Sequence, residues 1–262
     1  MVEGDKRKYF PQAVPMLTRF APSPTGHLHL GHAYAAEQAF ALGSCLLRIE
    51  DIDNTRSKPE LIDAIYEDLT WLGFTWPEPV RVQRGHMVDY QRVIETLNAR
   101  GLLYEDYTTR SGREDRTLPP VVKLSVARAI DALGMDCLSF EERNKTIPID
   151  LTSLEDKTLV RRDIGTSYHI AVTHDDWLQG ITDVGRGRDL YEKTPVHVLI
   201  QTLMGWPVPR YHHHGLVMDS GEKKMSKRFG SQTIRSLRES GLSPEQVLDL
   251  ARESVDRADH DG

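Results

Sequence analysis

Cysteine is almost missing from this chain: Cys45 and Cys137 are the only two in 262 residues. Two thiols so far apart do not make a disulfide framework, and they point to a reducing compartment, the cytoplasm. No Cys-x-Cys or Cys-x-x-Cys pair is present to found a zinc site. Long apolar runs are missing too. No stretch approaches the roughly 18 apolar residues of a membrane span, so none is expected. The opening "MVEGDKRKYFPQAVPM" lacks the apolar core of a secretory signal and reads as a disordered lead of about fifteen residues. Positive charge is outnumbered, 33 Lys+Arg against 39 Asp+Glu, for a net charge of −6. That balance argues against a nucleic-acid surface spread over the whole protein. It does not exclude a local one. "EKKMSKRFGSQTIRSLRE" (222–239) is basic, and screening over about 8–10 Å lets such a strip meet phosphates on an acidic protein.

With 39% hydrophobic and 27% charged residues, the chain reads as a soluble globular protein large enough for a real core. "MLTRFAPSP" reads as a short strand stopped by prolines, and "GHAYAAEQAFALG" as a helix closing at Gly43. "SCLLRIED" has the character of a buried parallel strand. Leu61, Ile65, Leu69 and Leu72 repeat at helical spacing after Pro59, and "HMVDYQRVIETLNARG" makes another helix. This alternation predicts an α/β fold with a parallel sheet. From about 102 to 162 the pattern breaks into polar, turn-rich sequence, which reads as an insertion. The pattern then resumes, with "SYHIAVTHDD" and "GITDVGRG" as strand and loop and "TPVHVLIQTLMG" as an apolar helix. "PRYHHHGLVMD" reads as a strand, and two short helices follow, over 231–240 and 244–254. The divisions are therefore 1–15, a flexible lead; 16–101, the first half of the sheet; 102–162, the insertion; 163–220, the second half; and 221–262, a basic loop with short helices. No exposed heptad or interface stripe is visible, so a monomer is expected.

The run "APSPTGHLHLGHA" (21–33) places His27, His29 and His32 close together. As metal ligands they fit poorly, because a helical zinc pair wants histidines at i and i+4. His29 and His32 instead flank a glycine that starts a helix, where backbone N–H groups and the positive helix end face outward. Neutral histidines there suit a polyphosphate, and Gly26 and Gly31 permit close backbone approach. A second chemical signal is "KMSKR" (224–228), whose lysines can neutralise charge that builds up on phosphates.

Together, "RFAPSPTGHLHLGHA" and "KMSKR", about 190 residues apart, resemble the two signatures of class I aminoacyl-tRNA synthetases in the form used by the glutamyl group. "HLGH" stands where that class has its HIGH tetrapeptide, and "KMSKR" where it has KMSKS. "LLRIEDID", "SYHIAV", "DDWLQGITDVGRGRDL" and "TPVHVLIQTLMGWP" also match the family's segments, so that the resemblance covers roughly 16–240. It implies a Rossmann-like parallel-sheet catalytic domain with an inserted subdomain and a short helical C-terminal tail. It implies that His29, His32, Lys224 and Lys227 carry catalysis, with Gly31, His29, His32 and Lys227 on ATP and Mg2+ accompanying the nucleotide. Arg19, Ala21, Ser23, Glu50, Tyr168 and Arg186 would bind L-glutamate. The chemistry suits the residues, since arginine offers a fork to a carboxylate and a carboxylate meets an ammonium. The residues alone leave alternatives open. Arg19 could pair with Glu50 or Asp51, Tyr168 could be core, and Arg186 could sit in a solvated loop beside Arg188 and Asp189.

Within the family, the chain resembles free-standing catalytic domains that transfer glutamate to queuosine in the anticodon of tRNA(Asp). "LHLGHAYAA", Val172 after "SYHIA", and "RGRDL" carry that resemblance. With 34 residues after Arg228 (228 to 262), the separate anticodon-binding domain of a full glutamyl-tRNA synthetase is not expected. Two departures stand out. Many members hold zinc in the insertion through cysteines and a tyrosine, but here "YEDYTTRSGREDR" has no cysteine, so no zinc is expected. Tyr104 and Tyr107 are expected to pack, and Cys137 to be a free, buried thiol. The segment between HLGH and RIED is also shorter than the family's by about one helical turn, which bears on the register of Glu50. Among the other features, His212 and His214 would share a strand face with His213 turned away, on a strand facing solvent or lining the ATP site. Asp53 is expected to cap a turn or pair with Arg56.

Overall fold

The computed structural model describes residues 15–109, 111–217 and 232–255. The KMSKR pentapeptide, with Lys224 and Lys227, lies outside these residues, as does the N-terminal lead up to residue 14.

The first half builds a parallel sheet. β1 (Leu17–Phe20) leads into α1 (Leu30–Leu42), which returns to β2 (Ser44–Ile49). The strands pair in parallel from Leu17 opposite Ser44 to Phe20 opposite Leu47. α2 (Pro59–Trp71) follows, with proline in its first turn, where the missing N–H costs nothing. It buries Leu61, Ile65 and Leu69, as their spacing predicts, and β3 (Arg81–Val82) then joins β2. α3 (Met87–Ala99) buries Tyr90, Val93, Ile94 and Leu97.

The middle of the chain forms β4 (Leu103–Asp106), β5 (Val121–Leu124), α4 (Val126–Leu133), β6 (Cys137–Glu142), β7 (Lys145–Asp150) and β8 (Lys157–Val160). β4, β5 and β8 make a small antiparallel sheet. β6 and β7 form a hairpin whose tip meets the main body. Tyr104 and Tyr107 pack beneath Arg128 and Arg116 and donate hydroxyl bonds to Asp156 and Glu105. Cys137 is exposed rather than buried, because strand alternation along β6 turns Phe140 inward and Cys137 outward; the buried free thiol is Cys45.

The second half consists of α5 (Tyr168–Leu178), β9 (Asp183–Gly187), α6 (Thr194–Met204), β10 (Arg210–His214), α7 (Ile234–Glu239) and α8 (Pro244–Glu253). α5 corrects the strand reading of "SYHIAVTHDD". Ile170 through Asp176 are all buried, so this helix is covered on nearly every side and shows no amphipathic stripe. β9 and β10 pair in parallel, and β6 extends the order to β7-β6-β10-β9. The two halves meet where Thr182 N–H donates to the Leu17 carbonyl at 2.9 Å. α1 lies across this junction. Ala33, Ala36 and Ala39 keep its inner face small, and a Cβ on Gly185 would come within 3.0 Å of Leu42.

Candidate active site

The parallel strands β1, β2, β9 and β10 deliver their C-terminal ends to one cleft of about 620 Å³, the place where open α/β sheets bind ligands. Arg19 and Phe20 enter it from β1, with Ala21 and Ser23 following. Glu50 follows β2, Arg186 and Gly187 close β9, and His214 closes β10. Tyr168 projects from the first turn of α5, and His29, Gly31 and His32 come from the start of α1. Every expected site residue among the described residues therefore lines this single cleft.

His29 and His32 form the N-terminal cap of α1. The Gly31 N–H donates to His29 Nδ1 at 3.1 Å, and the His29 N–H donates to His32 Nδ1 at 3.2 Å. With Nδ1 accepting, each neutral ring carries its proton on Nε2, a donor with no partner among the described residues. The rings lie 3.9 Å apart. Burial pushes the His32 pKa down to about 3, with a smaller contribution from His29, so the ring is neutral at physiological pH. Gly31 is required here for space as much as for ligand approach, since a Cβ would stand 2.9 Å from the His29 ring.

Arg19 pairs with neither Glu50 nor Asp51. Its Nε donates to Asp176 at 2.9 Å and one Nη to the Gly185 carbonyl at 3.3 Å. Asp176 also holds Arg48 at 2.9 Å, and Arg48, fully buried, reaches Glu50 at 3.4 Å. Burial pushes the Glu50 pKa up, while Arg48 and Arg19 oppose the shift. The shortened segment before RIED leaves Glu50 at the cleft wall.

Arg186 is not in a solvated loop. It is 5% exposed, and among the described residues its partners are neutral. Nε donates to His213 Nε2 at 3.1 Å, one Nη to His197 Nδ1 at 3.1 Å and the other to Thr194 Oγ1 at 2.6 Å. The guanidinium lies 5.0 Å over the Tyr211 ring. Burial holds His197 well below the ordinary histidine range and also lowers His213. Tyr168 stands beside His197, with Lys193 5.1 Å from its ring, and burial raises its hydroxyl pKa.

The β10 histidines are held in three different ways. His212 Nε2 donates to the buried Asp183 at 2.9 Å, His213 is buried against Arg186, and only His214 lines the cleft, edge-on to Tyr34. The strand is internal to its sheet, with β9 on one side and the β6–β7 hairpin on the other, and Arg210 and His212 keep a partly exposed face above Asp183. Asp53 caps Thr55 at 3.2 Å and pairs with Arg161 rather than with the Arg56 side chain. Sequence reasoning missed Asp176, Arg48, Thr194, His197 and His213. A charged or polar residue inside an otherwise apolar segment, as in "DDWL" or "TPVHVLIQ", was the available signal. Among the described residues, no group of three His, Cys, Asp or Glu side chains is placed to hold a metal ion. No helix among them is long and apolar enough to cross a membrane.

Comparison with known proteins bears on this geometry. Residues 15–117 and 130–254 match the family model of the class I tRNA synthetases (E and Q), catalytic domain. The chain is 37% identical to a glutamyl-Q tRNA(Asp) synthetase of Rhodobacter capsulatus, over 90% of this chain and 99% of that one. It is 34% identical to glutamate–tRNA ligase 2 of Dinoroseobacter shibae, over 89% of this chain and 60% of the ligase. Among solved structures, a glutamate tRNA ligase of Elizabethkingia meningosepticum in complex with its amino acid superposes with a TM-score of 0.65 at 26% identity. That match covers 83% of this chain and 53% of the ligase. The fold and the match over most of its length together show that this chain belongs to the glutamyl and glutaminyl family of class I tRNA synthetase catalytic domains.

Proposed function

We propose that the protein activates L-glutamate with ATP and transfers the glutamyl group to queuosine in the anticodon of tRNA(Asp). The observation that carries the reading is Arg186, a buried guanidinium with neutral partners, facing the same cleft as Arg19, Glu50 and the His29–His32 pair. An amino acid with two carboxylates supplies the missing anion and offers its ammonium to Glu50. Ala21, Ser23 and Tyr168 form the wall around it. ATP sits with its phosphates towards the start of α1, where His29 and His32 donate through Nε2 and Gly31 gives the backbone room.

In the first step a glutamate carboxylate oxygen attacks the α-phosphorus, the bond to the bridging oxygen breaks, and pyrophosphate leaves. Lys224 and Lys227 offset the charge that develops on the phosphates, and Mg2+ travels with the nucleotide. In the second step a hydroxyl of the queuosine cyclopentenediol attacks the glutamyl carbonyl and AMP departs. The side chains position the reactants and stabilise charge, with no covalent intermediate on the protein. Similarity over nearly the whole R. capsulatus synthetase favours queuosine as acceptor over the tRNA 3′ end. The chain acts in this reading as a monomer in the cytoplasm. Glutamate-dependent exchange of pyrophosphate into ATP tests the activation step. Exchange that needs glutamate is expected, and none in folded protein, with or without tRNA, removes the enzymatic reading.

A further inference from the structure

The middle segment of the chain reaches the proposed glutamate pocket from behind. β6 and β7 are joined by a two-residue turn at Arg143 and Asn144, both left-handed (φ 45° and 68°), the pairing that matches strand twist in a tight hairpin. The hairpin tip is fixed to β10. Arg143 N–H donates to the Tyr211 carbonyl at 3.2 Å, and the Arg143 side chain donates to the His213 carbonyl. Glu142, the last residue of β6, hydrogen-bonds one residue with both carboxylate oxygens, while the Arg143 guanidinium stands 3.8 Å from Oε1. Oε1 accepts the His213 backbone N–H at 2.9 Å, and Oε2 lies 2.6 Å from His213 Nδ1. His213 Nε2 faces the Nε–H of Arg186 at 3.1 Å and so must accept. The His213 proton is therefore on Nδ1, donated to Glu142. Arg186, His213 and Glu142 form one directed chain, Nε–H to Nε2 and Nδ1–H to Oε2, whose only anion stands two bonds back from the guanidinium. Phe140 of the same strand packs edge-on to Tyr211, the ring beneath Arg186.

We infer that Glu142 is a positioning residue for amino-acid recognition, holding Arg186 through the orientation and tautomer of His213. This separates two demands. A carboxylate touching Arg186 would orient it but neutralise it against the substrate, as a direct ion pair does. A carboxylate one imidazole away fixes the geometry and leaves for an incoming anion the second N–H of each Nη, the first being given to His197 and Thr194. Burial works against the charged form of Glu142, but the side-chain and backbone hydrogen bonds from His213 outweigh it and keep its carboxyl below the ordinary range. The inference rests on the reading of Arg186 as a glutamate-binding group.

The test is glutamate-dependent pyrophosphate exchange on Glu142→Gln and Glu142→Leu, alone and in an Arg186→Lys background. Glu142→Gln keeps the shape of the side chain and removes its charge. Glu142→Leu removes both acceptors and serves if the amide variant folds poorly. The expected result is a rise of about tenfold in KM for glutamate, the size of one charge-assisted hydrogen bond, with KM for ATP within about twofold of the parent. In the Arg186→Lys background the same change should have little further effect, since the chain no longer has its end. Unchanged glutamate KM in both Glu142 variants, or losses that add fully to that of Arg186→Lys, overturns the inference. If Arg186→Lys itself leaves glutamate KM unchanged, the pocket reading has failed instead. Nitrogen NMR of His213 gives a readout independent of activity. A proton on Nδ1 in the parent is expected, and a proton on Nε2 contradicts the proposed chain.

Discussion

A guanidinium shut in with neutral partners is held at a cost until an anion joins it, and that is the situation of Arg186 among His213, His197 and Thr194. Its removal should therefore act on glutamate more than on ATP. Arg186→Ala is expected to lower kcat/KM for glutamate about 100-fold, or about 2.7 kcal/mol, in the range of hydrogen bonds to charged groups. Exchange kinetics with each substrate varied in turn check this, and an unchanged glutamate dependence would mean the pocket lies elsewhere. His32 gives a residue-scale prediction in pH. Its folded pKa of about 3 lies below the ordinary 6.5, so between these values the unfolded chain holds a proton that the folded one does not. Stability from this group is full above pH 6.5 and is lost as pH falls towards 3, with a slope of up to about 1.4 kcal/mol per pH unit. Denaturant midpoints measured from pH 7 down to 4 should fall less steeply in His32→Asn than in the parent. Parallel curves would contradict the assignment.

Among the elements, α5 sets the register of the charged layer under the cleft. Asp176 holds both Arg19 and Arg48, each at 2.9 Å, and Asp175 beside it takes Arg81 of β3, Gln83 just after that strand and Tyr90 of α3. Asp176→Asn leaves Arg48 fully buried with Glu50, at 3.4 Å, as its remaining carboxylate partner. The loss is expected to be about 3–5 kcal/mol of stability by urea unfolding, as for other broken buried pairs. A loss below about 1 kcal/mol would show that the layer is not a structural keystone. The same helix shows what an element's sequence can hide. α2 was legible because one face meets the core and Leu61, Ile65 and Leu69 repeat along it. α5 is buried on nearly all sides, so its apolar and polar residues follow partners from other segments rather than a period. α1 was legible for a different reason. Its glycine and histidines serve the cap and the cleft together, and that double duty concentrates them in one short motif.

At the scale of the whole molecule, the legible part of the site is what lies next to itself in sequence. HLGH, RIED and the end of β9 are contiguous runs at strand ends and at a helix start, and each could be assigned chemistry one motif at a time. What escaped is what the fold brings together over distance. Arg19 meets Asp176 across 157 residues, and His213 meets Glu142 across 71. No local pattern encodes those pairs, because the two halves of the sheet and the hairpin between them must first assemble. The acidic total charge likewise says little about the site, which draws its positive character from Arg19, Arg186 and Lys193 inside one cleft. The central claim, that glutamate goes from ATP-activated form to queuosine in an anticodon, is tested most directly by labelled glutamate, ATP and magnesium with two tRNA pools. One pool contains queuosine and the other comes from cells unable to make it. Label on the queuosine-containing pool alone is the predicted result, and equal label on both pools would contradict it by placing the glutamyl group on the tRNA 3′ end.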